Sequence, residues 1–194
     1  MDVHKNLSSE AEKIARAYLE KELPQRWAHV EAVALKARKH GNLLFAKDKA
    51  QIITAAAWLH DLGYASVIKK TGYHPLDGAL WLRSQGFDET VVSLVAHHSC
   101  AGLEAEVRGL GKVLDPFPKE ETLLADLLLF ADMTTGPSGE DFSVQERMDE
   151  IVSRYGKDHV VSSFILKAKP LILEASTRVE SKLKSLSQEP SPGK

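Results

Sequence analysis

Acidic and imidazole side chains recur in this chain at positions that suit a metal ion. His29 is followed by the adjacent pair His60-Asp61, then His74, the pair His97-His98, and finally Asp132. Six of the eight histidines fall between residues 29 and 98. His29 shares a helical stripe with Val33, and His60 shares one with Ile53 and Ala56. Asp132 lies one turn after Leu128 and beside Ala131. These faces otherwise read as buried. An unpartnered buried carboxylate costs several kcal/mol, or it takes a proton. A divalent ion removes that cost, and neutral imidazole is the commonest nitrogen ligand for first-row metals. Taken singly, each residue also has a plainer reading. His29 suits a hydrogen-bonded core position, His60-Asp61 a helix end and its turn, and His74-Pro75 a helix entry. His97-His98 suits a solvated helix end, and Asp132 a cap.

Composition narrows the choice. The chain has 194 residues, 43% hydrophobic and 27% charged, which is the balance of a globular domain. Lys and Arg number 25 against 27 Asp and Glu, a net charge of -2, so no strong field favours nucleic acid or an anionic membrane. One cysteine, Cys100, rules out an intrachain disulfide framework and a multi-Cys zinc site. Any metal must be held by His, Asp and Glu. The residues from Met1 to Asn6 lack a signal-peptide pattern, and no stretch reaches the roughly 18 apolar residues of a membrane span. A cytoplasmic protein without a membrane partner is the expectation.

The elements that would position these side chains read as helices throughout. Ser9 to Glu12 forms a capping box for a helix ending near Leu23. A second helix spans Pro24 to His40 and stops at Gly41. Asp48 caps an Ala-rich third that ends near Asp61, with Gly63 in the turn. Pro75 starts a fourth, ending at Gly86. Asp88 caps a fifth that closes on His98. Residues 101–118, rich in Gly and Pro, read as a loop. An apolar helix follows from Lys119 to Met133, then a second loop from Thr134 to Asp141. Ser143 to Glu146 is another capping box, opening a helix that ends at Gly156. The last helix starts after Asp158, kinks at Pro170 and frays near Ser185. Its Val160, Phe164, Ile165, Leu171 and Leu173 suit either a cover over the domain or a partner surface, so a homo-oligomer fits too. The expected fold class is all-α, one compact multi-helix domain over residues 1–186 with a disordered tail over 187–194.

The order His29, His60-Asp61, Asp132 resembles the HD superfamily of metal-dependent phosphohydrolases. The stretch from Ala55 to Gly63, Ala-Ala-Ala-Trp-Leu-His-Asp-Leu-Gly, looks like that family's signature helix end, and the resemblance covers about residues 27–135. It implies a first divalent metal on His29, His60, Asp61 and Asp132, with Asp61 bridging. By analogy with binuclear members it implies a second metal on His74 and on His97 or His98. His97 is the favoured ligand of the two, and His98 the group facing substrate, where it would protonate the leaving group or orient a ligand. Asp61 and His98 are thus the catalytic candidates. Mn, Fe, Co, Ni, Zn and Mg are all admissible as the ion, singly or in pairs.

The implied activity is hydrolysis of a small phosphorylated substrate, with nucleotides among the candidates, by a metal-activated water. Two alternatives share the ligand set: a mixed-valent di-iron oxygenase, and a metal-binding regulatory module without turnover. There are departures from the family pattern. Tyr64 stands where several members carry Lys or Glu. Ser99-Cys100-Ala101-Gly102 follows His98, so the Gly-Tyr-Pro motif of cyclic-dinucleotide hydrolases is absent. Lys69, Lys70 and Arg83 are candidates to touch phosphate, and Tyr64 and Thr134 to line the pocket. His4, His40 and His159 are set aside.

Overall fold

The computed structural model describes residues 6–119 and 121–188. The described chain is helical: α1 Leu7–Leu19, α2 Pro24–Leu44, α3 Lys47–Leu59, α4 His74–Ser84, α5 Glu89–His97, α6 Ala101–Val107, α7 Leu123–Met133, α8 Val144–Tyr155 and α9 Val160–Gln188. Short 3₁₀ turns cover Leu62–Tyr64 and His98–Cys100. Among the described residues the only extended pairing is a single bridge between Thr135 and Asp141. The all-α expectation holds.

α3 is the central post. Ile52 through Leu59 are all buried, and the helix touches α1, α2, α5 and α7. Its alanines leave room for neighbours on every side, so the helix lacks a solvated face. Trp27 of α2 stacks on Trp58 of α3 at 5.4 Å. A second apolar cluster forms from Leu129 and Met133 of α7, Met148 and Ile151 of α8, and Phe164, Ile165 and Ile172 of α9. α7 joins both clusters, since Leu124, Leu127 and Leu128 face the first. That explains why its sequence is apolar all round, and it carries Asp132 into the interior between them.

Several local expectations change. Ser9 lies inside α1, whose N-cap is Asn6 without a side-chain bond, and Ser8 instead donates to Gln51 at 2.7 Å, tying α1 to α3. α1 ends at Leu19, four residues early. Gly41 does not stop α2. A Cβ there would sit 2.9 Å from Ile53 Cγ2, so its glycine serves the close approach of α2 and α3. α3 has Ala46 at its N-cap, and Asp48 sits in the first turn, favourable for the helix dipole. Residues 101–107, expected as loop, form α6, because packing of Ala101 and Ala105 outweighs the helix cost of Gly102. α7 begins at Leu123, after Pro118 and the extended Thr122.

Two helix starts read correctly, while the expected kink at Pro170 and fraying near Ser185 do not interrupt α9. Asp88 accepts from Thr90 N, and Ser143 with Glu146 forms a full capping box. α9 passes through Pro170 without interruption to Gln188. Pro170 lies on the exposed side, where water can satisfy the carbonyl it leaves free. Phe164 and Ile165 are core residues, while Leu171 and Leu173 are exposed. The first two residues of the expected tail are helical; residues 189–194, like 1–5 with His4, lie outside the described residues.

Candidate metal centre

The donors converge from five helices. His29 comes from the first turns of α2, and His60 caps α3 with Asp61 directly after it. His74 opens α4, His98 follows α5, and Asp132 stands near the end of α7. His29, His60 and Asp132 form one cluster of potential ligand atoms. Asp61, His74 and His98 form a second. His29 Nε2 lies 3.1 Å from Asp132 Oδ1, and His74 Nε2 lies 3.2 Å from His98 Nε2. Ligand atoms bonded to one ion at about 2.0–2.1 Å stand roughly 3 Å apart, so both spacings suit a shared cation.

Asp61 joins the two clusters. Its Oδ1 is 3.3 Å from His74 Nε2 and 4.0 Å from His98 Nε2. Its Oδ2 is 3.5 Å from His60 Nε2 and 3.9 Å from His29 Nε2. One oxygen therefore faces each cluster, so Asp61 would be in place to serve ions held at both.

Hydrogen bonds fix the tautomers. His29 Nδ1 meets the Gly136 carbonyl at 2.9 Å, His60 Nδ1 the Ala57 carbonyl at 2.7 Å, and His98 Nδ1 the Val95 carbonyl at 2.6 Å. Only an N–H can face a carbonyl oxygen. A neutral imidazole has one, so each Nε2 is left as a bare lone pair directed inward. His60 Nε2 is buried with no hydrogen-bond partner. Lone pairs of Nε2 and of carboxylate oxygens face one another at close range, which is repulsive unless a cation sits among them. The donor set fits a divalent metal on this ground.

Protonation follows the same logic. Burial pushes the His60 imidazole down to about 4, against the pull of Asp61 and Asp132. Burial also lowers His74, with Asp61 opposing. Burial alone would raise Asp61, but the Arg26 guanidinium and the neighbouring histidines hold its carboxyl well below the usual range. Burial would raise Asp132 too, but the neighbouring His29 and His60 imidazoles hold its carboxyl well below the usual range. At neutral pH the carboxylates are charged and His60 is neutral, the states a metal requires.

Close backbone packing places the second cluster. A Cβ on Gly63 would collide with the His74 carbonyl and sit 2.7 Å from Gly78 N. The glycines at 63 and 78 thus let the start of α4 lie directly on the turn after Asp61. Buried Asp77 accepts from Thr71 N at 2.9 Å and from Gly72 N at 3.1 Å, fixing the segment that delivers His74. Tyr64 stacks on His74 at 4.1 Å, and the Arg26 guanidinium covers the Tyr64 ring at 4.1 Å. Tyr64 therefore braces a ligand candidate.

His29, His60, Asp61, His74, His98 and Asp132 are brought together. His97 is not: α5 ends on it, and its Nε2 meets the Phe117 carbonyl at 2.9 Å, holding the 108–119 segment. The preference for His97 over His98 as ligand reverses. His98 turns Nδ1 to the Val95 carbonyl and Nε2 to the cluster, so with an ion on Nε2 it would have no nitrogen left for a leaving group. Thr134 is buried, and its carbonyl and hydroxyl accept from Lys36 at 2.6 and 2.9 Å. Arg83 pairs with Glu89 and covers Phe117, and Lys69 and Lys70 are exposed, outside both clusters. His40 packs edge-on against Phe130, and His159 is exposed beside Tyr155.

Two contributors were missed in the sequence. Arg26 Nη1 donates to Asp61 Oδ2 at 2.6 Å. Its place three residues before His29 puts it on the same helix face, a signal the spacing carried. Ser99 donates to Asp132 Oδ2. Ser99 and Cys100 both adopt the left-handed backbone, with φ of 47° and 63°. That rare pair turns the chain so that His98 and Ser99 reach the centre, and nothing in the local sequence marks it.

Among the described residues no helix is long and apolar enough to cross a membrane. No curated protein and no solved structure matches the chain. The model of the HD domain family does match, over residues 26–133. The match starts at Arg26 and ends one residue after Asp132, so it encloses all six converging donors. It spans more than half of the chain, and the chain belongs to the HD domain family.

Proposed function

We propose that the protein is a metal-dependent phosphohydrolase acting on a small phosphoester. The carrying observation is the pair of His/Asp clusters, with Asp61 of the second turning its other oxygen toward the first. HD domain proteins are mostly metal-dependent hydrolases, which supports the reading. Two divalent ions carry more charge than Asp61 and Asp132 return, leaving a positive centre that suits a phosphate dianion. Bound ions would lower the pKa of a water ligand from about 15.7 towards ~7 and neutralise charge developing on the phosphoryl oxygens.

The chain's own residues prepare that chemistry. His29, His60 and Asp132 would hold one ion, and His74 and His98 the other, with Asp61 between them. The carbonyls of Gly136, Ala57 and Val95 orient three imidazoles. Ser99 fixes the outer oxygen of Asp132. Arg26 rests its charge on Asp61 at the rim, in reach of an anionic substrate. The Cys100 thiol, pushed up to about 11 by burial, is no nucleophile at neutral pH.

A panel of phosphomonoesters and nucleotides, assayed with Mn²⁺, Fe²⁺, Co²⁺, Ni²⁺, Zn²⁺ and Mg²⁺, tests the reading. Phosphate release that is lost in Asp61→Ala is the expected result. The same His/Asp set also suits a di-iron oxygenase. Two irons per chain with a mixed-valence EPR signal, and no phosphate release, would favour that activity instead.

A further inference from the structure

A cavity of about 300 Å³ opens beside His29. Its walls include Arg26 at the start of α2, Pro137 of the 134–141 loop, and Arg147 and Arg154 of α8. The loop is pinned there. Gly139, at φ 89°, lies so close to α2 that a Cβ would be 3.2 Å from the Ala28 carbonyl. Gly136 meets His29 from the same loop. The cavity therefore abuts the first metal cluster through His29, and α8, which lies outside the stretch matched by the HD domain family, completes it.

Its charge is unusual. Three guanidiniums line it, against the carboxylates of Glu22 and Glu150. Arg147 and Arg154 share Glu150, the latter at 2.8 Å. Glu22 lines the cavity and accepts from Ser66 N. Arg26 is bound to Asp61, which belongs to the metal centre. Arg147 and Arg154 thus carry two positive charges against the one carboxylate they share. The side chain of Arg147 is only 8% exposed, and its Nε is buried with no hydrogen-bond partner. A buried guanidinium N–H is costly to leave unmatched. Arginine's planar fork suits an oxyanion better than any other group.

We infer that this cavity binds a second anionic group of the substrate, an oxyanion other than the phosphoryl group attacked at the metal centre. The substrate class is then small phosphoesters bearing a carboxylate or a further phosphate. A volume at the low end of small-molecule sites excludes a bulky second moiety at that end. The inference rests on the phosphohydrolase reading for which group is cleaved, and on Arg147 and Arg154 for which group is recognised.

Calorimetric titration of the metal-loaded full-length protein tests it, with metal content checked afterwards. The probes are methylphosphonate, with one anionic group, and phosphonoacetate and methylenediphosphonate, each with two. At least one of the two-group probes is expected to bind tenfold or more tightly than methylphosphonate. Which one does so tells a carboxylate from a phosphate. Arg147→Gln and Arg154→Gln are each expected to shrink that gap at least fivefold, with methylphosphonate affinity and metal content unchanged. Arg147→Lys should retain part of the gap. Arg154 is exposed, so its variant stands even where Arg147→Gln disturbs the fold. Equal affinities for all three probes, or equal weakening of all three in the variants, would overturn the inference. Phosphoester turnover without the gap would sink the cavity assignment alone, whereas the gap without turnover would keep the cavity and sink hydrolysis.

Discussion

Asp61 holds the site together because its two oxygens face different clusters, and the other donors differ in what they would lose. His98→Ala should remove the second ion and leave the first, while His97→Ala should leave both, since its ring serves only the Phe117 carbonyl. Metal analysis of the two variants separates them. Ser99→Ala removes a bond to Asp132 and should weaken metal affinity about 10- to 100-fold, as loss of a group that orients a ligand does. His60 also makes a pH prediction for metal-free protein. Its folded pKa of about 4 lies below its ordinary 6.5, so the unfolded chain binds the extra proton between those values. Stability is then full above about pH 6.5 and falls as pH drops towards 4, by on the order of 3 kcal/mol. Asp61 and Asp132, both depressed, withdraw further stability at still lower pH. Urea titrations at pH 7 and pH 4.5 measure the first window. Five of the six donors were legible from type and order. The choice of His98 was not, because it depends on the left-handed pair Ser99-Cys100, a tertiary outcome that Ser and Cys do not announce.

Among the elements, glycines decide how closely helices can stand. Gly63→Ala forces a collision with the start of α4 and should cost about 2 kcal/mol or more. Gly102→Ala meets nothing within 4 Å inside α6 and should stabilise by about 0.5–1 kcal/mol. Chemical denaturation of both variants gives the contrast in one experiment, and a stabilised Gly63→Ala would contradict the packing described. Helix starts were readable where a side chain made the bond, at Asp88 and Ser143. They misled at Ser9 and Gly41, where the same residue types do other work: Ser9 lies within a helix already begun, and Gly41 admits Ile53. α6 was hidden because its stability comes from burying Ala101 and Ala105, which local propensity does not record.

For the molecule as a whole, α7 shared between two apolar clusters means that the metal centre and the α8–α9 cover are mechanically linked. A metal that binds only the folded chain stabilises it by mass action. Chelation should therefore lower the melting temperature, and re-addition should restore it. The all-α architecture was legible from capping and periodicity. The arginine cavity was not, because Arg147 and Arg154 lie far along the chain from His29 and meet it only through the loop at Gly136 and Gly139. Metal binding by His29, His60, Asp61, His74, His98 and Asp132 depends on Asp61, which faces both clusters. It is tested most directly by metal analysis of protein purified without added metal, beside its Asp61→Ala variant. Divalent metal bound near one or two ions per chain, and lost in the variant while its helical circular dichroism persists, is the expected result. A wild-type chain that binds no divalent ion at any tested concentration, or a variant that retains the full amount, would contradict it.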